Sequence, residues 1–448
     1  MMSDIKNTLR HTCFLLAALF IVAGHGTAVA GVGDSNAPPS WLKKINYEWG
    51  GYIKALGISS WHDDRTLFRT DEDNPFYDGS AFFRLKNRLL FSDTYIFDVH
   101  YQAILTGGDT FRKQNKLKKQ FPAIDDVSGF QQTINDDRRL LHLTDIVDNG
   151  ESHSLYQRLD RLVLTIQGQW GAVRIGRQAI TWGNGFLFNP MDLFNPFSPI
   201  DIDREYKTGD DMASVRIPVG NDGDLQFLLV PRRDLATGKV AEDQSSLAGK
   251  LHFPYGSTEF DFMLARHYDE NVAGVGSAGY FRDAAWRMDV TWTSVNQSQN
   301  RDGYFSMTAN MDYSWVWLKK NFYGFVEFYY NGLGTDQYAK AYADQQIANR
   351  LERGELFFLG RSYLSGQVNM ELHPLVNLYL TIINNLYDPS GIVQPWVVWN
   401  MTQDTNLKLG ANFYYGGHET EFGGYEISST PFLNKPPDSM FLWLTWYF

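Results

Sequence analysis

The sequence has little of what three large classes of protein require. Cys13 is the only cysteine among 448 residues, so a disulfide framework is excluded. No apolar run approaches the roughly 18 residues of a transmembrane helix. Asp and Glu number 51 against 40 Lys and Arg, which gives a formal net charge of -11 at pH 7. A nucleic-acid partner would require a basic face, so this balance argues against one.

The amino terminus has the pattern of an export signal. Lys6 and Arg10 precede an apolar run over residues 13–24, and Ala28-Val29-Ala30 supplies small residues at a cleavage site. We therefore predict a cleaved signal peptide over residues 1–30 and a short periplasmic segment over 31–44. Cys13 would leave with the signal, so the exported chain would carry no thiol. No plug domain is expected before the first strand.

The carboxyl terminus is apolar and alternates at period two. Met440, Leu442, Leu444, Trp446 and Phe448 share one face of an extended strand. Such a strand is either buried in a soluble sheet or shown to lipid by a closed barrel. The terminal strand would also be the segment that the barrel-assembly machinery binds.

From Ile45 onward, short alternating segments are separated by turn residues, and aromatics make up 15% of the chain. This pattern predicts an all-β fold: a transmembrane antiparallel up-and-down β-barrel over 45–448. About 18 strands are expected, although 16 stay possible because the strand near 271–280 is weakly marked. Short connectors would be periplasmic turns, and long ones, including 106–155 and 183–210, would face outside. Rings near strand ends, such as Trp49, Tyr52 and Trp317, would form interfacial belts.

The connector after Trp182 is too apolar for a loop in water, since residues 186–197 contain Phe186, Leu187, Phe188, Met191 and Phe194. We expect it to fold into the barrel and narrow the lumen. Its charged residues would face basic residues of the wall across water, as at a pore constriction; a cap held by salt bridges is the alternative. The predicted constriction comprises Arg84, Lys86, Arg88, Arg161, Arg174 and Arg216 on the wall with Asp192, Asp201, Asp203, Arg204 and Glu205 on the loop.

The segment Arg174-Ile-Gly-Arg-Gln-Ala-Ile-Thr-Trp-Gly183 and the Asn-Pro-rich loop after it resemble large porin-type barrels related to the alginate-export family. The strand pattern and Phe448 agree with this resemblance. It implies an 18-stranded outer-membrane channel whose basic lumen passes acidic polysaccharide or small anions. No substrate-binding motif of the family can be matched residue by residue.

Signals for enzymes and cofactors are weak. A glycine pattern that matches the dinucleotide-binding motif G-x-G-x-x-G occurs at Gly274-Val-Gly-Ser-Ala-Gly279, but the strand–helix context of that motif is missing. The glycines instead predict a strand against which another element packs closely. The histidines show no metal-ligand spacing, and no cofactor or metal is expected. A Ser–His pair assembled across strands, as in a barrel hydrolase, stays open. Another open alternative is a sheath around a partner such as a cytochrome.

The sequence thus predicts a non-enzymatic porin in the bacterial outer membrane. It would pass small hydrophilic solutes, anionic or saccharide, by passive diffusion. Its other partners would be outer-membrane lipid and lipopolysaccharide, the latter bound by the basic run at 112–119.

Overall fold

The structure is a computed structural model, which describes residues 46–69, 74–120, 135–295, 302–426 and 432–448. The predicted signal peptide and nearly all of the predicted periplasmic segment lie outside these residues. The strands are β1 (Asn46–Trp61), β2 (Phe76–Leu90), β3 (Tyr95–Gly108), β4 (Thr144–Asn149), β5 (His153–Gly168), β6 (Gly171–Gln178), β7 (Asp210–Val219), β8 (Gly223–Arg233), β9 (Val240–Tyr255), β10 (Thr258–His267), β11 (Glu270–Phe281), β12 (Ala284–Ser294), β13 (Gly303–Trp317), β14 (Lys320–Asn331), β15 (Ser362–His373), β16 (Val376–Asn385), β17 (Gly391–Asn400), β18 (Thr405–Tyr415), β19 (Tyr425–Glu426), β20 (Leu433–Asn434) and β21 (Asp438–Tyr447). The helices are α1 (Asp109–Gln120) and α2 (Gln345–Arg353).

Eighteen of these strands form one closed antiparallel barrel: β1–β3, β5–β18 and β21. Each pairs with its neighbours along the chain, and β21 pairs with both β18 and β1, so the sheet has no open edge. The predicted count of 18 is confirmed, and the alternative of 16 is wrong. The weakly marked segment near 271–280 is a full strand, β11, paired on both sides.

The terminal strand shows its apolar face outward. Met440, Leu442, Leu444 and Trp446 are 41–50% exposed, whereas Phe441, between them, is 6% exposed. The same alternation runs round the barrel and leaves a surface of large apolar side chains. A soluble sheet would bury that face, so the sandwich alternative is wrong, and the exterior suits hydrocarbon.

Large rings gather on the outside where short turns join the strands. Trp170, Tyr255, Tyr280 and Trp317 are 51–78% exposed and lie in or beside these turns. They form the girdle expected at a membrane interface. Tyr52 is an exception to the predicted belts, because it is 3% exposed and faces inward.

The connector between β3 and β5 is part of the barrel wall, which corrects the expectation that residues 106–155 lie wholly outside. Strands β6 and β7 stop where residues 179–209 turn into the barrel, and residues 138–149 occupy the gap. On one side β4 pairs with β5. On the other side the Arg233 N–H donates to the Arg138 carbonyl at 2.8 Å. We call residues 138–149 the wall patch.

Hydrogen bonds to a cluster of buried ion pairs hold this wall patch against the ends of β6 and β7. The Arg177 guanidinium, 1% exposed, donates to Asp211 at 2.8 Å and to Asp136 at 2.9 Å. It also donates to the Leu141 carbonyl at 2.7 Å, and the Leu141 N–H donates to Asp211 at 2.7 Å. Arg177 belongs to the segment 174–183, on which the predicted resemblance to alginate-export barrels rests, and its contacts here are structural.

The two helices lie in connectors at the end of the barrel that carries the long loops. In the connector after β14, a 3-10 turn (Tyr338–Ala343) precedes α2. Neither helix in the described part of the chain is long and apolar enough to cross a membrane.

Candidate functional site

Residues 179–209, which we call the lumen loop, leave the wall at β6, cross the inside of the barrel and return at β7. At one side of the crossing the Asn184 N–H donates to Asp289 of β12. Further along, Gln394 of β17 donates to the Ile200 carbonyl at 3.1 Å. The predicted infolding of this loop is therefore present. Since β17 lies far round the barrel from β6, the loop divides the lumen.

Two apolar clusters attach the lumen loop to opposite parts of the inner wall. Trp182, Met191 and Phe194 pack with wall residues of β7–β11, among them Met212 and Met263. Leu187 and Phe188 pack with residues of β14–β17 and with Phe422: Phe325, Tyr363, Ile383 and Ile392. The apolar content that marked the loop in the sequence is thus buried on the wall.

The small residues of β11 permit close packing at this wall. A Cβ at Gly276 would lie 2.6 Å from an Asp289 oxygen and 3.1 Å from the Asn184 side chain. A Cβ at Gly274 would lie 3.0 Å from the methyl of Met263 and 3.4 Å from that of Met191. The close packing predicted from the glycines of residues 274–279 is present, and the element that packs against them is the lumen loop.

The returning arm of the lumen loop is attached to the first two strands. Lys54 of β1 forms an ion pair with Asp203; the lysine side chain is 4% exposed and the aspartate 21%. Lys86 donates to the Tyr206 hydroxyl at 2.9 Å, and the Arg84 guanidinium lies 4.1 Å from the centre of the Tyr206 ring. These contacts fix the loop opposite its attachment on β12.

Other polar contacts stiffen the lumen loop internally. Arg204 donates to the carbonyls of Phe186, Ser198 and Pro199, and so ties its two arms together. Asp192 and Lys207 form a buried ion pair at 2.5 Å. Burial raises the pKa of Asp192 to about 6 although Lys207 opposes the shift, which makes Asp192 a fastening of the loop rather than a charge facing water.

The predicted wall residues fall into two groups. Arg84 is buried and Arg161 is partly buried beside Asp160, which is 2% exposed and binds both guanidinium groups. Arg161 also donates to the Lys207 carbonyl of the loop at 2.6 Å. The sequence predicted that Arg84 would face the acidic stretch of the loop. That prediction is wrong, because Arg84 pairs with Asp160, a carboxylate of the wall.

The second group stays in contact with the lumen near the short turns. Arg88 and Arg216 have side chains 48% and 67% exposed and lie next to Asp98 and Asp224. Arg174 and Lys86 are partly exposed. On the loop, Asp201 and Glu205 are the exposed acids among the predicted set, and Glu205 accepts from the Tyr447 hydroxyl at 3.1 Å.

Sequence reasoning missed Lys54, Asp289 and Glu327, which attach the lumen loop to the wall. Glu327 of β14 is 0% exposed and accepts from the backbone N–H groups of residues 186–188. Each of the three is an inward charge with an apolar residue directly before and after it in its strand. That alternation was a signal for the lumen face, but it did not indicate which lumen residues touch the loop.

One chain of hydrogen bonds has the order of a hydrolase triad. Ser246 lies 2.9 Å from His267 Nδ1, and His267 Nε2 lies 3.0 Å from Glu355. Ser246 is 2% exposed, however, and its hydroxyl accepts from Arg232 at 2.7 Å. A nucleophile must reach its substrate, so these contacts favour a structural role.

A cavity of about 110 Å³ lies against the lumen loop on the long-loop side of the barrel. Pro190, Pro196 and Phe197 line one side, and Thr293 and Tyr304 line another. Ser246 is not among its lining residues. The described residues contain no group of three or more His, Cys, Asp or Glu side chains that could hold a metal ion.

These features define a class of protein. A closed barrel with an apolar exterior, a charged interior and a loop fixed across the lumen has the architecture of a porin-type channel.

Comparison with solved structures agrees with that class. The crystal structure of Acinetobacter baumannii OccAB2 aligns over 90% of this chain and 98% of its own, at 11% identity and a TM-score of 0.51. Acinetobacter baumannii OccAB3 aligns over 90% of this chain and 99% of its own, at 8% identity and a TM-score of 0.51. Pseudomonas aeruginosa OccK2 (OpdF), crystallised in complex with glucuronate, covers 90% of this chain and 98% of its own, at 8% identity and a TM-score of 0.51.

At identities this low the likeness concerns the fold, which is that of outer-membrane porins. The predicted location in the bacterial outer membrane agrees with this fold and with the apolar exterior. No protein-family model matches the sequence, and no curated protein matches it significantly. Kinship with the alginate-export family therefore stays a prediction.

Proposed function

We propose that the protein is a passive outer-membrane channel for small hydrophilic solutes, with the lumen loop as its constriction. The observation that carries this proposal is the loop's attachment to opposite sides of the inner wall, on β12 and β17 and again on β1. A loop held at both sides narrows a water-filled lumen. Solutes would be selected by size and by the charges that remain exposed there.

The exposed charges favour anions on one part of the path. Arg88, Arg174 and Arg216 lie on β2, β6 and β7, close to the short-turn ends of these strands. Two of them are about half exposed or more, so a carboxylate in the lumen can reach them. Asp201 and Glu205 on the loop provide opposite charge. Exposed charges of both signs in one lumen would orient a polar solute that carries both charge and hydroxyl groups.

A small sugar acid fits this arrangement, and it is the solute class we propose. Its support is the group of lumen arginines Arg88, Arg174 and Arg216, together with the neighbour OccK2 (OpdF), whose crystal structure contains glucuronate. The resemblance of residues 174–183 to alginate-export barrels points to the same chemistry. A neutral sugar of equal size would lack the attraction to the arginines.

The experiment is reconstitution of the purified full chain into planar bilayers and into liposomes. We expect discrete conductance steps, a reversal potential of anion-selective sign in a KCl gradient, and faster liposome swelling with glucuronate than with glucose. The two solutes share a ring size, so their comparison isolates the charge. Absence of conductance steps would overturn the channel, and cation selectivity would overturn the solute class alone.

Two contacts outside the lumen belong to the same proposal. Arg112, Lys116 and Lys119 on α1 carry the basic run predicted to bind lipopolysaccharide phosphates. Addition of lipopolysaccharide to the detergent-solubilised protein should form a complex that weakens as salt rises.

The C-terminal strand, ending at Phe448, is the proposed recognition segment for the barrel-assembly machinery. Removal of Phe448 should lower the amount of assembled barrel in the membrane.

A further inference from the structure

Three consecutive backbone N–H groups of the lumen loop converge on one carboxylate of the wall. The amides of Phe186, Leu187 and Phe188 donate to Glu327 at 2.6, 2.9 and 2.8 Å. The side-chain amide of Asn310 donates to the same carboxylate at 3.2 Å. Successive amides that point to one side form a concave site for an anion, and here a side chain fills it.

A second carboxylate binds the preceding turn of the loop. Asp289 of β12 accepts from the Asn184 backbone N–H and, at 2.8 Å, from the Asn184 side chain. The turn needs its glycines: Gly183 has a φ of +86°, and a Cβ at Gly185 would lie 1.8 Å from the Phe188 carbonyl oxygen. The backbone is thereby bent so that its amides face the wall.

Aromatic pairs flank the carboxylate and fix the register of the contact. Phe186 stacks on Phe325 with ring centres 4.4 Å apart, and Phe188 stacks on Tyr329, also at 4.4 Å. Phe325, Glu327 and Tyr329 alternate along β14 and share its inner face. The two rings of the loop therefore stack on the two rings of β14, and the loop amides between them bind the carboxylate of Glu327.

We propose that Glu327 and Asp289 together form an amide clamp that positions the constriction of this channel. The clamp rests on the proposed function, since it holds the loop that narrows the pore. Glu327 is a positioning residue, because it acts through the loop and is sealed from the lumen. Both of its carboxyl oxygens must accept hydrogen bonds, since four N–H donors surround them and the amide of a glutamine would direct its own donor at one of these.

The test uses a thiol reporter at Leu187, which is 9% exposed when the loop is in place. The variant Leu187→Cys is made in the full chain on a Cys13→Ser background and reconstituted. A small water-soluble thiol reagent then measures how often the loop leaves the wall. Adding Glu327→Gln should speed labelling about tenfold, because a buried donor loses its acceptor. Single-channel recordings should show added conductance levels.

Asp261→Asn is the matched control. Asp261 is a buried inner-wall carboxylate, 7% exposed, that binds Lys250 and His252 and makes no hydrogen bond to the loop. The substitution Asp261→Asn makes the same change of a carboxylate to an amide. Its labelling rate should therefore stay within about twofold of the rate in the chain that carries only the Leu187→Cys reporter. Equal acceleration in Glu327→Gln and Asp261→Asn would overturn the clamp, as would unchanged labelling in Glu327→Gln.

If Glu327→Gln does not fold, as judged by heat-modifiable migration, Asp289→Asn decides the question. It should speed labelling in the same direction, and an unchanged rate would overturn the clamp. Labelling does not depend on conduction. A chain that fails to conduct but whose labelling responds to Glu327→Gln would therefore refute the proposed channel and leave the clamp standing.

Discussion

Lys54 of the first strand forms an ion pair with Asp203 of the lumen loop, 149 positions further along the chain. The pair lies inside the barrel, where the lysine side chain is 4% exposed. It holds the returning arm of the loop against β1, opposite the contacts that Asp289 and Glu327 make with the outgoing arm. The constriction is thus fixed at two places, each of which can be weakened separately.

Substitutions of Lys54 and Asp203 should have non-additive effects on the free energy of unfolding. Asp203→Asn leaves the lysine buried without its partner and should lower the free energy of unfolding by about 3 kcal/mol. Lys54→Met should cost less, because the aspartate is partly exposed. The double variant should lie closer to the parent than the sum of the single changes, as measured by urea unfolding in detergent. Additivity within about 0.5 kcal/mol would contradict the pair's role.

Deletion of residues 186–199 should raise single-channel conductance. The deletion removes most of the part of the lumen loop that packs on β14–β17, so the water-filled cross-section widens. The control deletes residues 235–238, the tip of an exposed turn between β8 and β9, and should leave conductance unchanged. Equal conductance in the two deletions would mean that the loop does not limit the current.

Charge reversal at Arg88 and Arg216 should weaken anion preference. Both side chains are accessible from the lumen, so Arg88→Glu with Arg216→Glu changes the potential that a passing ion meets. The reversal potential in a KCl gradient should shift toward the cation-selective side. An unaltered reversal potential would place both groups away from the ion path.

Arg84 is unsuitable for that experiment, although the sequence grouped it with Arg88. Arg84 and Asp160 are 1% and 2% exposed and paired with each other. Arg84→Glu would bury two carboxylates side by side and should lower the yield of folded barrel rather than change selectivity. Heat-modifiable migration and circular dichroism measure that yield. A normal yield with changed selectivity would contradict its burial.

Glu421, in the connector after β18, should make stability depend on pH. It accepts from the Gly360 N–H, the Tyr363 hydroxyl and Asn385, and burial raises its pKa from 4.5 to about 7. The folded state therefore retains a proton that the unfolded state releases. The contribution of Glu421 to stability should be fully present below pH 4.5 and should fall by about 3 kcal/mol as the pH rises to 7.

Glu421→Gln should remove that part of the pH dependence, because the amide does not titrate. Urea unfolding of the parent and the variant at pH 4.5 and 7.5 measures it. Burial also raises the pKa of Asp192, which contributes in the same direction in both chains. The difference between the two chains is therefore the informative quantity, and equal slopes would refute the assignment.

Ser246→Ala separates a structural role from a hydrolytic one. If the Ser246–His267–Glu355 chain only fastens the wall, the variant should conduct normally and lose about 1 kcal/mol of stability with its hydrogen bonds. A barrel hydrolase would instead show esterase activity in the parent chain that disappears in the variant. Assays with a short-chain nitrophenyl ester and with a detergent-dispersed lipid distinguish the two.

Much of the fold follows from local pattern. Alternation at period two located the strands, because each side chain of a barrel strand meets either lipid or the lumen. The apolar face of the last strand needed no knowledge of distant residues. The infolding of the lumen loop was predictable for the same reason, since Phe186 and Phe188 are unfavourable in water.

The partners of the loop were not predictable in this way. Asp203 meets Lys54, and Asn184 meets Asp289, only because the barrel closes with a particular register and the loop crosses it. Those contacts depend on pairings between strands far apart in the sequence. A row of charges such as Arg84, Lys86 and Arg88 looks uniform in one strand, whereas burial by Tyr206 and Asp160 separates its members.

The wall patch has a consequence for permeability. A loop that turns inward removes material from the barrel, and the hole is closed by residues that precede β5 rather than by the strands beside it. Trimming residues 138–149 as an ordinary surface segment would open a side leak parallel to the pore, through which ions bypass the narrow point. The ion permeability of this channel therefore depends on two segments, the lumen loop, which narrows the pore, and the wall patch, which closes the barrel wall.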